Sequence, residues 1–361
     1  MYKKLLLISL IFLSIDCIYS QDEIKVLSES EVESLKSQMP LEAETAYNEG
    51  IQAFQTKNYS LAIEKYTKAI EVYPSFELAF YNRGLSYESL DQNSKAIDDF
   101  NKVIELNPSN QKAIFEIGAV HEKNKDYSNA LNFYDKAISI GGQEPNVIYR
   151  RALIYFQQGE YDKALSDLNA IIKIDPSFAN VYNERGSVNR EKGNLSAAIE
   201  DYKKAVSQDP TSKIAFNNLG TAYRKNGQFD LAIQAYSEAI KQDKGFYLAF
   251  NNRGYAKYES GDYTGAISDF DESIKLKSDY FYAYVNKSAV YVKQEKWNDA
   301  VKSCDQAIKI NSTYGYAYYN RGIAYEMLRN DKQACEDWSK AAELGVNIAN
   351  SYYSNNECYK F

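Results

Sequence analysis

An all-α solenoid built from helix pairs is the fold this sequence predicts, and three observations predict it. Alanine recurs every 34 residues, from Ala62 through Ala96, Ala130, Ala164, Ala198, Ala232, Ala266 and Ala300 to Ala334. Glycine keeps the same period at Gly50, Gly84, Gly118, Gly186, Gly220, Gly254 and Gly322, and proline keeps it at Pro74, Pro108, Pro176 and Pro210. Within a period the apolar residues fall at helical spacing in two runs, such as Phe80, Gly84 and Tyr87, then Ala96, Ile97, Phe100, Val103 and Ile104. One helical hairpin per fixed period is the mark of a stacked array.

The chain order follows. Residues 1–20 carry Lys3 and Lys4, the apolar run Leu5–Leu13 and a small residue, Ser20, before Gln21. That pattern reads as a signal peptide, and its apolar run is short for a membrane span. Cys17 raises lipid anchoring as a lesser option, because Asp16 stands where a lipobox has a small residue. The expected location is therefore exported: periplasmic, outer-envelope or secreted. Residues 21–42 form an N-terminal segment in which Ser28 or Ser30 is able to cap a short helix, a flexible tether being the alternative. There Val26, Val32, Leu35 and Met39 are available to cover the first repeat. Nine ungapped units follow at 43–348, and 349–361 is a C-terminal capping segment, with a helix expected over Val346–Tyr359 after a turn at Gly345.

Each unit is counted here from its own position 1. The first helix is expected near positions 1–14 and the second near 17–30. Gly159, Gly193, Gly227 and Gly261 at position 15 suit a left-handed helix end, and proline at position 32 stops the second helix. Position 8 is Gly, Ala or Ser and position 20 is Ala, which lets the paired helices approach closely. The mostly large residues at position 24, Tyr66 through Trp338, are expected to fill the space between one pair and the next.

Small residues at 8 and 20, aromatics at 4, 11 and 24, and proline at 32 together resemble the tetratricopeptide repeat. The resemblance implies a right-handed superhelix whose first helices line a concave groove. It also implies an interaction scaffold rather than an enzyme. Lys257 and Asn189 depart from the aromatic at position 11.

Position 7 carries Arg83, Arg151, Arg185, Arg253 and Arg321, and the same five units carry Asp99, Asp167, Asp201, Asp269 and Asp337 at position 23. Elsewhere the two positions are Glu49 with Lys65, or both apolar; only Lys287 with Ser303 fits neither scheme. Structural ion pairs between the two helices are expected.

Position 6 carries Asn48, Asn82, Asn218, Asn252, Asn286 and Asn320, interrupted by Glu116, Arg150 and Glu184. The family geometry turns this position toward the groove. Two readings stand. A carboxamide both donates and accepts, so a row of them brackets the peptide bonds of an extended chain, widened by Asn183, Asn217 and Asn251 at position 5. Alternatively, asparagine is simply a solvated residue there. Exposed tyrosines, including Tyr255 and Tyr258, add aromatic surface for side chains or sugar rings. The expected partner is a protein or peptide held along Asn217–Asn320. The alternatives are a glycan-binding envelope protein using the tyrosines, or a structural link in a larger envelope assembly. The lysine and asparagine set of a tetratricopeptide clamp for a terminal carboxylate is missing.

With a net charge of -7 and a pI near 5.1 the chain has no basic excess to neutralise phosphates, so no nucleic acid is expected. His121, the lone histidine, stands at a position 11 occupied elsewhere by tyrosine and reads as core. Neither metal-ligand spacing, nor a phosphate loop, nor a nucleophile triad appears, so no cofactor and no enzyme is expected. Cys304 at position 24 reads as a buried thiol. Cys335 and Cys358 flank the Gly345 turn at similar distances, and an antiparallel helix pair brings them together as a candidate disulfide.

Overall fold

The computed structural model describes residues 39–355 and Cys358, so the signal segment and most of the residues proposed to cover the first repeat lie outside it. The described residues hold nineteen α-helices and form a solenoid of paired helices. They divide into two bodies, one ending at Gln158 and the other starting at Gly159. The N-terminal body contains α1 Leu41–Gln55, α2 Tyr59–Val72, α3 Glu77–Ser89, α4 Asn93–Leu106, α5 Gln111–Lys123, α6 Tyr127–Gly141 and α7 Pro145–Gln157. The C-terminal body contains α8 Tyr161–Ile174, α9 Ala179–Glu191, α10 Leu195–Gln208, α11 Lys213–Lys225, α12 Phe229–Gln242 and α13 Tyr247–Ser260. It continues with α14 Tyr263–Leu276, α15 Phe281–Lys293, α16 Trp297–Ile310, α17 Gly315–Met327, α18 Asp331–Glu343 and α19 Ile348–Asn355. Within each body every helix packs on the next, and in the C-terminal body the first helices α9, α11, α13, α15 and α17 also touch in sequence. None of the described helices is long and apolar enough to cross a membrane.

Local chemistry sets the helix ends. Side chains of Asn58, Asn110, Asp126, Ser212 and Asp262 accept the orphan N–H groups of the helices that follow them. Position 15 is left-handed in every period from Lys57 to Arg329. Glycine fills it four times, and Lys57, Asp91, Lys125, Glu295 and Arg329 adopt the same backbone with φ of 57 to 62°.

The pairing inside a repeat rests on positions 8 and 24. A Cβ added at Gly50 would lie 2.5 Å from the Tyr66 ring, and one at Gly254 would lie 2.9 Å from Phe270. Gly84, Gly118, Gly186, Gly220 and Gly322 meet Phe100, Tyr134, Tyr202, Tyr236 and Trp338 in the same way. The large residue at position 24 therefore fills its own helix pair, and Phe270 with Val290 and Trp338 with Tyr352 also reach the next pair as expected. The sequence carries the size match throughout. The two repeats without glycine at position 8, Ala152 and Ser288, are the two without an aromatic at position 24, Leu168 and Cys304. Cys304 is buried and burial pushes its thiol up to about 12.

At the C-terminal end Cys335 and Cys358 are joined as a disulfide. Tyr352 of α19 packs its ring 5.2 Å from Trp338 and 5.4 Å from Tyr319. Counting onward, Ala349 is position 1 and Cys358 position 10 of a further period. Position 10 is buried at Val120, Ile154, Val188, Ala222, Ala256, Val290 and Ala324. The capping segment thus occupies the place of one more first helix, with a covalent bond where the third to ninth repeats have apolar packing. At the opposite end Met39 packs against the first core cluster.

Candidate functional site

Two polar seams run along the helix pairs, and they decide which side chains remain available for a ligand. The first is built on position 7. Arg83 grips Asp99 through two parallel hydrogen bonds of 2.7 and 2.8 Å, and Arg253 grips Asp269 with the same two lengths. Arg185 with Asp201 and Arg321 with Asp337 repeat the fork. Such a fork fixes direction as well as distance. Arg151 belongs to the N-terminal body and Asp167 to the C-terminal one.

Each of these arginines also reaches back sixteen residues to position 25 of the preceding repeat, which residue-by-residue reading of the sequence missed. Arg83 donates to Thr67, Arg151 to Asp135, Arg185 to Asn169, Arg253 to Ser237 and Arg321 to Asp305. Lys287 uses this second contact alone, meeting Asp271 at 2.6 Å, which accounts for its mismatch with Ser303. One side chain therefore ties three helices. The two departures at position 11 join the same network: Asn189 donates to Asp201 at 3.0 Å, and Lys257 lies 2.9 Å from Asp269.

The second seam links position 6 of one repeat to position 5 of the repeat before it. Asn218 donates to Asn183, Asn252 to Asn217 and Asn286 to Asn251, at 2.9 to 3.0 Å. Position 5 in turn donates to position 6 of its own repeat, from Asn183 to Glu184 and from Asn251 to Asn252. Asn320 donates to Ser288 at 3.0 Å. In the N-terminal body Asn82, fully buried, donates to the Tyr47 hydroxyl at 2.8 Å, and the Tyr81 hydroxyl donates to Glu116. Asn217 and Asn251 are buried to within 1% exposure. Several of the amides expected to face a ligand are therefore bonded between repeats, whereas the buried Asn217 Nδ2 meets no acceptor among the described residues. A bound segment would have to break those bonds to use them. Asn48, in the first repeat, is exposed.

What remains on the first helices lies at positions 9, 12 and 13. Tyr255 and Tyr258 are half-buried with ring centroids 5.9 Å apart, and the Arg224 guanidinium lies 4.8 Å over the Tyr255 ring. Arg224 also meets Glu259 at 2.8 Å. In the N-terminal body Arg150 lies over Phe115 and 3.2 Å from Glu122. Glu184 is buried, and loss of solvent holds its carboxyl above the usual range. Arg190 is buried too. Position 12 carries no shared residue type, so nothing in the repeat pattern pointed to it. His121 stacks on Phe133 and meets Asp126 at 3.1 Å, a packing role. Among the described residues no group of His, Cys, Asp and Glu is arranged to hold a metal.

Family profiles cover most of the chain. The C-terminal ARM domain of tetratricopeptide repeat protein 21 matches residues 33–185. A TPR repeat profile matches 186–227 and 289–328, and a second tetratricopeptide repeat profile matches 217–280. No curated protein sequence matches the chain. Among solved structures, it is similar to a tetratricopeptide repeat protein from Parabacteroides merdae. The identity is 16%, the coverage 69% of this chain and 98% of that one, and the TM-score 0.55. It is also similar to the C-terminal part of a TPR repeat-containing protein from Cytophaga hutchinsonii, at 22% identity, 64% and 95% coverage and a TM-score of 0.52. The APC/C hetero-tetramer Cut9–Hcn1 gives 14% identity, 87% and 76% coverage and a TM-score of 0.55. At such identities the likeness is one of fold.

Proposed function

The chain is a tetratricopeptide repeat protein, and from that premise we propose that it is an exported scaffold holding an extended segment of another protein along its first helices. The protein-interaction part is what the repeat family implies. The finer reading is supported by one observation above the others. On α13 the half-buried Tyr255 and Tyr258, with Arg224 laid over Tyr255, form a preorganised aromatic and cationic surface. Rigid aromatic rings with a cation alongside anchor peptide side chains at small entropic cost. The asparagine row holds that surface in register instead of supplying the rungs.

Export is the reading of Lys3, Lys4 and Leu5–Leu13, and a disulfide between Cys335 and Cys358 suits an oxidising compartment. Fractionation of the source cells should find the chain in the envelope or medium with those two cysteines oxidised. A cytoplasmic chain with both reduced would contradict it. For binding, the chain from Gln21 onward is offered a displayed library of unstructured twelve-residue peptides. Selected peptides should lose about tenfold in affinity on Tyr255→Leu with Tyr258→Leu, which keep apolar packing against the Phe270 and Val290 cluster, measured where both chains are fully folded. Selection of no peptide, together with retention on an oligosaccharide array, would replace this reading with the glycan one.

A further inference from the structure

The repeats place position 12 of one first helix beside position 13 of the next, thirty-five residues on. In that register Lys123 reaches the Glu88 carbonyl, and Arg224 meets Glu259 at 2.8 Å. The first is to a main-chain carbonyl, with Lys123 pairing its charge with Asp91 at 2.6 Å, and the second is an ion pair. Between them in the series stands Arg190, whose counterpart at the same separation is Lys225. The slot that satisfies Arg224 thus gives Arg190 a second cation. Position 9 of the following repeat, which gives Arg224 the Tyr255 ring, gives Arg190 only Thr221.

The consequence shows in the bonding of Arg190. Its side chain is 8% exposed. Its Nε donates to Glu191 at 3.2 Å, and its two terminal nitrogens meet no acceptor among the described residues. A guanidinium carries five N–H donors in one plane, and the four on the terminal nitrogens of Arg190 are left to solvent or to a ligand. The other charged groups around it are accounted for. Glu191 is engaged at Nε, Glu184 accepts from Asn183, Arg224 is paired with Glu259, and Lys225 is an exposed cation. The Tyr202 hydroxyl lies with Ser187 at 3.0 Å and the Tyr236 hydroxyl with Thr221 at 3.1 Å.

We propose that Arg190, flanked by Lys225, is a recognition site on α9 and α11 for an acidic side chain of the bound segment, its carboxylate taking the two terminal nitrogens of the guanidinium. This rests on the reading that an extended polypeptide lies along the first helices, and it names what that polypeptide must carry. A planar carboxylate accepts two parallel N–H bonds from the open edge of the guanidinium, and Lys225 adds a second charge at the rim. The neighbouring Arg224, already paired, makes no such demand.

The test is the twelve-residue display library, selected on the chain from Gln21 with wild-type sequence and with three variants. Wild-type selection should fix one Asp or Glu at a constant place among otherwise mixed residues. Lys225→Glu alters an exposed position and supplies Arg190 with the partner that Glu259 gives Arg224. It should raise the melting temperature and abolish the acidic preference. Arg190→Glu should select Lys or Arg at that same place. Arg190→Gln should cost a selected acidic peptide about tenfold or more. Peptides selected without a fixed acidic residue, and bound equally by the Lys225→Glu variant, would overturn the site while leaving peptide binding standing. Failure to select any peptide would overturn both.

Discussion

The first three repeats and the fifth to eighth solve one joining problem with different chemistry. In both stretches position 6 of a repeat meets position 5 of the one before. In the N-terminal body position 5 is Tyr47, Tyr81 or Phe115, and the contact is one hydroxyl bond or a cation over a ring. In the C-terminal body position 5 is Asn183, Asn217 or Asn251, and the amides link in two runs, from Asn286 through Asn251 and Asn252 to Asn217, and from Asn218 through Asn183 to Glu184. A ring carries its own apolar area into the joint, so a single polar bond completes it. An amide brings little area, so its bonding runs on to the next amide until it ends at Glu184 or at Asn217, whose Nδ2 is buried without an acceptor among the described residues. Interchangeable seams of this kind leave ligand recognition to positions outside them.

The largest expected effect tests what the two stretches share. Gly50→Ala in the first and Gly220→Ala in the second should each cost up to about 3 kcal/mol, because the new Cβ falls 2.5 and 2.8 Å from a buried tyrosine ring. Combining Gly220→Ala with Tyr236→Leu reproduces the fourth repeat's Ala152 and Leu168. In urea denaturation that pair should cost less than the two single changes summed. Next, Asn217→Ala leaves the buried Asn252 amide without its acceptor and should cost about 2 kcal/mol. Tyr47→Phe removes one hydroxyl and keeps the ring, and should cost about 1 kcal/mol. Equal losses would erase the distinction between the seams.

A pH experiment sharpens it further. Burial lifts the Glu184 carboxyl above the free value of about 4.3, so the folded chain binds that proton more tightly than the unfolded one. The stability tied to it is complete below the free value and is lost as pH rises through the folded one. Glu184→Gln should therefore raise the melting temperature at pH 7, and the two curves should meet near pH 4. The smallest effect is local. Asp91→Gly relieves a left-handed backbone at φ of 57° and should stabilise by less than about 1 kcal/mol, whereas Gly193→Asp at the equivalent turn should destabilise by a similar amount.

The helix pairs were legible because one period carried their apolar spacing, their glycines and their prolines together. The partner of the arginines at position 23 was legible because a single residue type, Asp, recurs there. Their second partner was not: position 25 is filled by Thr67, Asp135, Asn169, Ser237 and Asp305, whose acceptors share geometry but not identity. Asn218 and Asn252 were read as facing a ligand or solvent because positions 5 and 6 were compared only at the fixed period. Their partners Asn183 and Asn217 lie thirty-five residues back, one more than the period, where a comparison at fixed period does not look. The five left-handed turns lacking glycine gave no signal, since Lys57 or Glu295 looks the same in either backbone. Arg190 stood out only once the bonding of Arg224 was in view.

The measurement that bears most directly on the asparagine seam is a double-mutant cycle on Asn217 and Asn252, read by urea denaturation of the chain from Gln21. If the amides join repeats, Asn217→Ala and Asn252→Ala should each destabilise and the pair should fall short of their sum by about 1 kcal/mol. Strict additivity, with each single change near zero, would contradict that and return these asparagines to the ligand.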